Sequence, residues 1–177
     1  MTRAPSFWDF SLGVYARPGV ECALLRLQDE HGLNVNLVLW CLWCGAYFDD
    51  APEYVVRKAA DLTQKWNCEV TARLRAARRA LKSAPPDAAG VASKDALALA
   101  VEALRERVKA DELASERIEQ DMLETMTHGA LTPASGPSGA PARARRALAA
   151  YARLAGAAKT PGFTIAILEN LIENTLS

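Results

Sequence analysis

Residues 7–48 read FWDFSLGVYARPGVECALLRLQDEHGLNVNLVLWCLWCGAYF, and three of the four tryptophans fall inside this stretch. Its second part, residues 32–48, carries no charged side chain at all. A segment this rich in aromatic and aliphatic groups has to leave water, so it fixes where the core lies. Two Asn and two Gly interrupt those 17 residues, which fall slightly short of the roughly 20 apolar residues of a membrane span. A central buried helix is the better reading.

The rest of the chain favours helix as well. Ala, Leu and Arg dominate the 177 residues, while β-branched residues are sparse, a mixture that suits helices and not strands. That length predicts one domain with a core of useful size. A net charge of zero leaves the chain as a whole without the footprint of a dedicated nucleic-acid binder. Asp9 and Ser11 break the apolar run near the start, so no secretory signal is read there. The expectation is a cytoplasmic protein whose four cysteines stay reduced and form no disulfide.

Punctuation residues divide the chain into helices. Ser6 with Asp9 starts a first helix to about Ala16, burying Phe7, Phe10 or Ser11, and Val14. Pro18 suits the first turn of a second helix, with Cys22, Leu25 and Gln28 or Asp29 at helical spacing and Gly32 as its stop. Asn34 or Asn36 caps the third. Asp50 and Pro52 open a long amphipathic helix carrying Val55, Ala59, Leu62, Trp66, Val70, Leu74, Ala77 and Leu81, with a bend expected near residues 66–68. After the 83–93 loop, Ser93 caps another long helix, about residues 94–127, with Leu97, Val101, Leu104, Val108, Ile118, Met122 and Met126 on a stripe. LTPASGPSGAPA, residues 131–142, reads as a flexible linker. A basic, alanine-rich helix over 143–158 and a last one with Ile165, Leu168, Leu171, Ile172 and Leu176 follow. This last pair packs either on the core or on a partner in a helix-in-groove manner.

One stripe is broken by polar residues. At 100° per residue, Asp111, Glu112, Ser115 and Glu119 fall on the core-facing side of the second long helix, and Leu113 points away. A buried carboxylate is costly without a partner. The preceding helix offers Arg73, Arg75, Arg78, Arg79 and Lys82 between residues 71 and 82 with no acidic residue. Three readings stay open: an ion-pair network that sets helix register, a polar pocket for an anionic ligand or acidic partner, and a carboxylate metal site. The last is weakest, for no Glu-x-x-His pair occurs and His31 and His128 are not at ligand spacing.

Other motifs carry less. Cys41 and Cys44 match C-x-x-C but lie inside an apolar helix with no preceding strand, so they read as small core residues before a redox or zinc pair. Neither G-x-S-x-G, G-x-G-x-x-G nor a Walker sequence is present. The Arg73 to Lys82 run has no interleaved aromatics for nucleic acid, and Trp8, Trp40, Trp43 and Trp66 read as core.

The opener Phe7-Trp8-Asp9-Phe10-Ser11-Leu12, then Val14-Tyr15, Pro18-Gly19-Val20 and Leu27-Gln28-Asp29, resembles that of an uncharacterised bacterial family of small cytosolic proteins, mostly proteobacterial. The stretches LRAARRALK, residues 74–82, and VKADELASERIEQ, residues 108–120, are similar too. The likeness covers about residues 6–130. Cys44 stands where relatives are expected to carry an aliphatic residue. As a domain of unknown function, the family implies no activity, cofactor or catalytic residue.

The resulting expectation is an all-α bundle of about six helices with two long antiparallel ones. It has a core domain over 1–130, a linker over 131–142 and a C-terminal helical pair over 143–177. The expected function is a non-catalytic cytosolic protein-binding or adaptor role, without cofactor or metal. Its site joins Arg75, Arg78 and Arg79 to Glu112, Glu116 and Glu119, with Trp66 nearby. A small-molecule or anion binder, or an enzyme, using the same cluster is the first alternative. A nucleic-acid-associated factor acting through residues 73–82 is the second.

Overall fold

The computed structural model describes residues 4–83, 94–159, 162 and 165–176. Among them the protein is all-helical: α1 Phe7–Tyr15, α2 Val20–His31, α3 Val35–Tyr47, α4 Glu53–Trp66, α5 Ala72–Ser83, α6 Lys94–Ala130, α7 Ala140–Leu154 and α8 Ile165–Leu176. A π-helical turn, Asn67–Thr71, joins α4 to α5. Counting that rod as one gives seven helices among the described residues, close to the expected number of about six. No described helix is long and apolar enough to cross a membrane. The expected loop over 83–93 and its cap Ser93 lie largely outside the described residues.

The chain forms two compact units, Met1–Thr63 with Gln120–Ser177, and Gln64–Glu119. Their boundaries fall near the end of α4 and inside α6, within helices and not in a loop.

In the first unit α3 is the centre. Every residue from Asn36 to Gly45 is buried. Asn34 caps it, its Oδ1 accepting from the Asn36 N–H at 2.8 Å. The Phe7 ring stacks on Trp43 at 5.3 Å between centroids, and Phe48 meets the same indole edge-on at 4.9 Å. Both buried indoles satisfy their N–H, Trp40 to Thr127 Oγ1 at 2.7 Å and Trp43 to the Pro5 carbonyl at 3.2 Å, as a tryptophan away from water requires. Ser6 caps α1 as expected, accepting from the Asp9 N–H at 3.0 Å.

Three local expectations are corrected. Pro18 lies in the turn before α2, which starts at Val20 after a left-handed Gly19 (φ 79°). The buried stripe of α2 is Val20, Leu24, Leu27 and His31, whereas Cys22 and Leu25 are exposed. The 4-3-4 spacing of the first set follows one helix face, and a valine within the Pro-Gly turn region supplies its first member. Asp50 does not emerge as the cap of α4; it accepts a hydrogen bond from Arg146 Nε at 2.9 Å, and the Pro52 carbonyl takes the first helical N–H groups.

Residues 131–142, expected to be flexible, are tied into this unit. The Asp49 N–H donates to the Thr132 carbonyl and the Ala134 N–H to that of Tyr47, each at 2.9 Å. The Arg143 guanidinium donates to the carbonyls of Gly45, Ser138 and Gly136 at 3.0, 2.6 and 3.3 Å. The C-terminal pair packs on the core: Ala144, Ala147, Leu148 and Tyr151 of α7 and Leu168, Leu171 and Ile172 of α8 are buried. A Cβ on Gly45 would sit 2.5 Å from the Ala144 nitrogen. Only glycine permits α3 and α7 to approach so closely.

Candidate functional site

The second unit is built differently. Among its described residues the buried ones are Thr71, Glu112, Ser115 and Glu119, all polar. Leu74, Leu81, Leu97, Val101 and Val108 are half-buried, and Leu99, Leu104, Leu113 and Ile118 are exposed. Glu112, Ser115 and Glu119 therefore face inward and Leu113 outward, as the projection of α6 predicts. Asp111, expected on the same inner side, is exposed.

The π turn aligns the opposing residues. In an α-helix a residue five positions on lies about 140° round the axis, but a π turn brings i and i+5 together. Trp66 and Thr71 therefore share a face, and Arg75 and Arg78 continue it at α-helical spacing. Trp66 Nε1 donates to the Ser115 carbonyl at 3.1 Å and reaches its Oγ at 3.2 Å, while the Ser115 and Thr71 hydroxyls meet at 2.6 Å. Beyond them lies a charge quartet. Arg75 donates through Nε to Glu112 Oε1 at 3.0 Å and through Nη2 to Glu116 Oε1 at 2.9 Å. Arg78 Nε donates to Glu112 Oε2 at 2.5 Å, with its Nη2 at 3.4 Å from Oε1.

The two carboxylates are not equivalent. The Glu112 side chain is 9% exposed and Glu116 29%. Burial pushes the Glu112 carboxyl up, but hydrogen bonds from Arg78 and Arg75 outweigh it and leave its pKa lowered. For Glu116 burial wins over the pull of Arg75, the neighbouring Glu112 charge adds to it, and the pKa is raised. The hydrogen bond to Glu112 raises the Arg78 pKa further. Glu112 is thus the anchoring anion of the quartet and Glu116 its loosest member.

Of the residues singled out from the sequence, Arg75, Arg78, Glu112 and Glu116 come together in this quartet, and Trp66 stands in line with it through Ser115. Arg79 is exposed and Glu119 fully buried. Thr71 was missed, since nothing in the residue string announces a π turn. Cys41 and Cys44 lie buried in α3, where burial pushes both thiols well up, away from the thiolate form. All four cysteines are free thiols.

With this geometry in place, comparison with known proteins gives a family and no activity. The model of a protein family of unknown function (DUF2390) matches residues 6–123. The chain belongs to that family, and the match takes in the whole polar seam from Trp66 to Glu119. No curated protein and no solved structure matches the chain.

Proposed function

We propose that this is a non-catalytic protein-binding or adaptor protein of the bacterial cytoplasm, and that residues 64–119 are its partner-facing element. One observation carries the reading: in that unit burial goes to polar groups, while Leu99, Leu113, Ile118 and Leu104 stand 73%, 53%, 45% and 41% exposed. A pair of helices gains little stability from water-exposed leucines, and such side chains are better accounted for where another protein covers them. Bonds from Trp66 and Thr71 to Ser115 and from Arg75 and Arg78 to Glu112 and Glu116 tie the two segments side by side, in keeping with a pair of long antiparallel helices. The quartet keeps their register.

The same geometry favours a protein partner over an anionic small molecule or nucleic acid. Arg75 and Arg78 together hold two carboxylates one helical turn apart, a spacing that a second helix can match and a single small anion cannot. Native mass spectrometry of the untagged chain purified gently from its host tests the reading. A stoichiometric protein is expected on the wild type and lost in Leu113→Glu with helicity unchanged. A bare monomer contradicts it, and a small bound mass lost in Arg78→Ala favours the ligand alternative.

A further inference from the structure

Helix α5 is a basic helix whose two inward arginines are already occupied by carboxylates of its own chain. Ala72–Ser83 carries Arg73, Arg75, Arg78, Arg79 and Lys82 and no acidic residue. Glu112 and Glu116 stand one helical turn apart, and Arg75 bridges them through its Nε and Nη2 edge. We infer that Glu112 and Glu116 act as an internal stand-in for the partner, an acidic helical segment with carboxylates at i and i+4 that displaces them from Arg75 and Arg78. This rests on the protein-binding reading above and adds the partner's chemistry and an autoinhibitory contact.

Several features make the exchange feasible. Planar guanidinium edges match carboxylates in geometry, so one acidic helix can replace another without a new type of bond. Glu116 is the weak point of the closed form: a single bond from Arg75 holds it, and its burial works against its charge. The unit has no fully buried apolar side chain among its described residues, so moving one helix face costs little hydrophobic burial. An acidic peptide fits better than nucleic acid, because the groups to be replaced are carboxylates and Ala72–Ser83 offers no aromatic ring for base stacking.

The test is fluorescence anisotropy at low salt with two labelled probes: an alanine-based helical peptide bearing glutamates at i and i+4, and a single-stranded thymidine oligonucleotide. The proteins are the full-length wild type, Glu116→Gln, Glu112→Gln/Glu116→Gln, and each of these with Arg75→Gln/Arg78→Gln. Removing both internal carboxylates is expected to tighten peptide binding about tenfold or more, and removing both arginines to abolish the gain. Absence of a gain in a double variant of native helicity overturns the inference, as does a gain that survives loss of the arginines or appears only with the oligonucleotide. Should the double variant lose helicity, Glu116→Gln decides, with a smaller gain expected and an unchanged affinity contradicting it. A wild-type chain that keeps its co-purifying protein while the peptide series stays flat sinks this inference alone. A bare wild-type chain sinks the adaptor reading instead.

Discussion

The two units of this chain bury opposite kinds of side chain. In the first, Phe7, Trp40, Trp43, Phe48, Leu24, Leu27 and the leucines of α3 are withdrawn from water, and Thr127 enters bonded to the Trp40 indole. In the second, a serine, a threonine and two glutamates are withdrawn, while Leu99, Leu104 and Leu113 are left outside. An apolar core is stabilised by area and tolerates small rearrangements, whereas a polar seam depends on each bond being made. The contrast teaches which region is held by buried area and which by individual bonds.

The largest effect should come from the apolar unit. Trp43→Ala removes a fully buried indole packed on Phe7 and Phe48, and a loss of about 3–5 kcal/mol is expected in chemical denaturation. A loss under 1 kcal/mol would mean the aromatic cluster is not the core. Next comes Glu112→Ala, which strands Arg75 and Arg78 and should cost about 2–4 kcal/mol. A change within noise would place Glu112 in water and erase the contrast. Ser115→Ala breaks the neutral link between Trp66 and Thr71, for an expected loss of about 1 kcal/mol. Equal losses from Ser115→Ala and Glu112→Ala would argue that charge adds nothing to the seam. The smallest effect is at Arg26, whose pair with Glu30 is half-exposed on both sides; Arg26→Ala should change stability by less than about 0.5 kcal/mol.

Acid separates the two glutamates of the seam. Glu116, with its pKa raised, gains stability in its protonated form, a contribution present at low pH and lost as pH rises through its folded pKa. Glu112, with its pKa lowered, contributes stability above its unfolded pKa, and that is lost only as pH falls through its depressed folded value. On acidification the proton therefore goes to Glu116 first, without loss of stability, and the seam weakens only when Glu112 follows. Glu116→Gln should be neutral or slightly stabilising at neutral pH and should remove the first step from a stability-against-pH profile. Destabilisation by Glu116→Gln at neutral pH would reverse the assignment.

Much of this was legible in the residue string, for identifiable reasons. The uncharged 32–48 stretch marked α3 as the centre, and the acidic break in the α6 stripe placed Glu112, Ser115 and Glu119 inward opposite Arg75 and Arg78. Those are periodicity arguments, and periodicity survives folding. The π turn at Asn67–Thr71 was not legible beyond a suspected bend, because an inserted residue in a helix is fixed by tertiary packing and has no composition of its own. The ties of residues 131–142 were hidden for a related reason: they run between backbone groups and the Arg143 guanidinium, while the composition reads only Pro, Gly and Ser. The unit boundary was invisible since it falls inside continuous helices. The family match, to proteins of unknown function, supplies no role for any of these residues.

The most direct test of the contrast is hydrogen exchange on the native wild type and Glu112→Gln, resolved by segment. Exchange should speed up in residues 66–83 and 96–119 of the variant while α3, Val35–Tyr47, keeps its wild-type protection. Equal acceleration in α3, or no change in residues 96–119, would contradict a polar seam that holds its own unit separately from the apolar core.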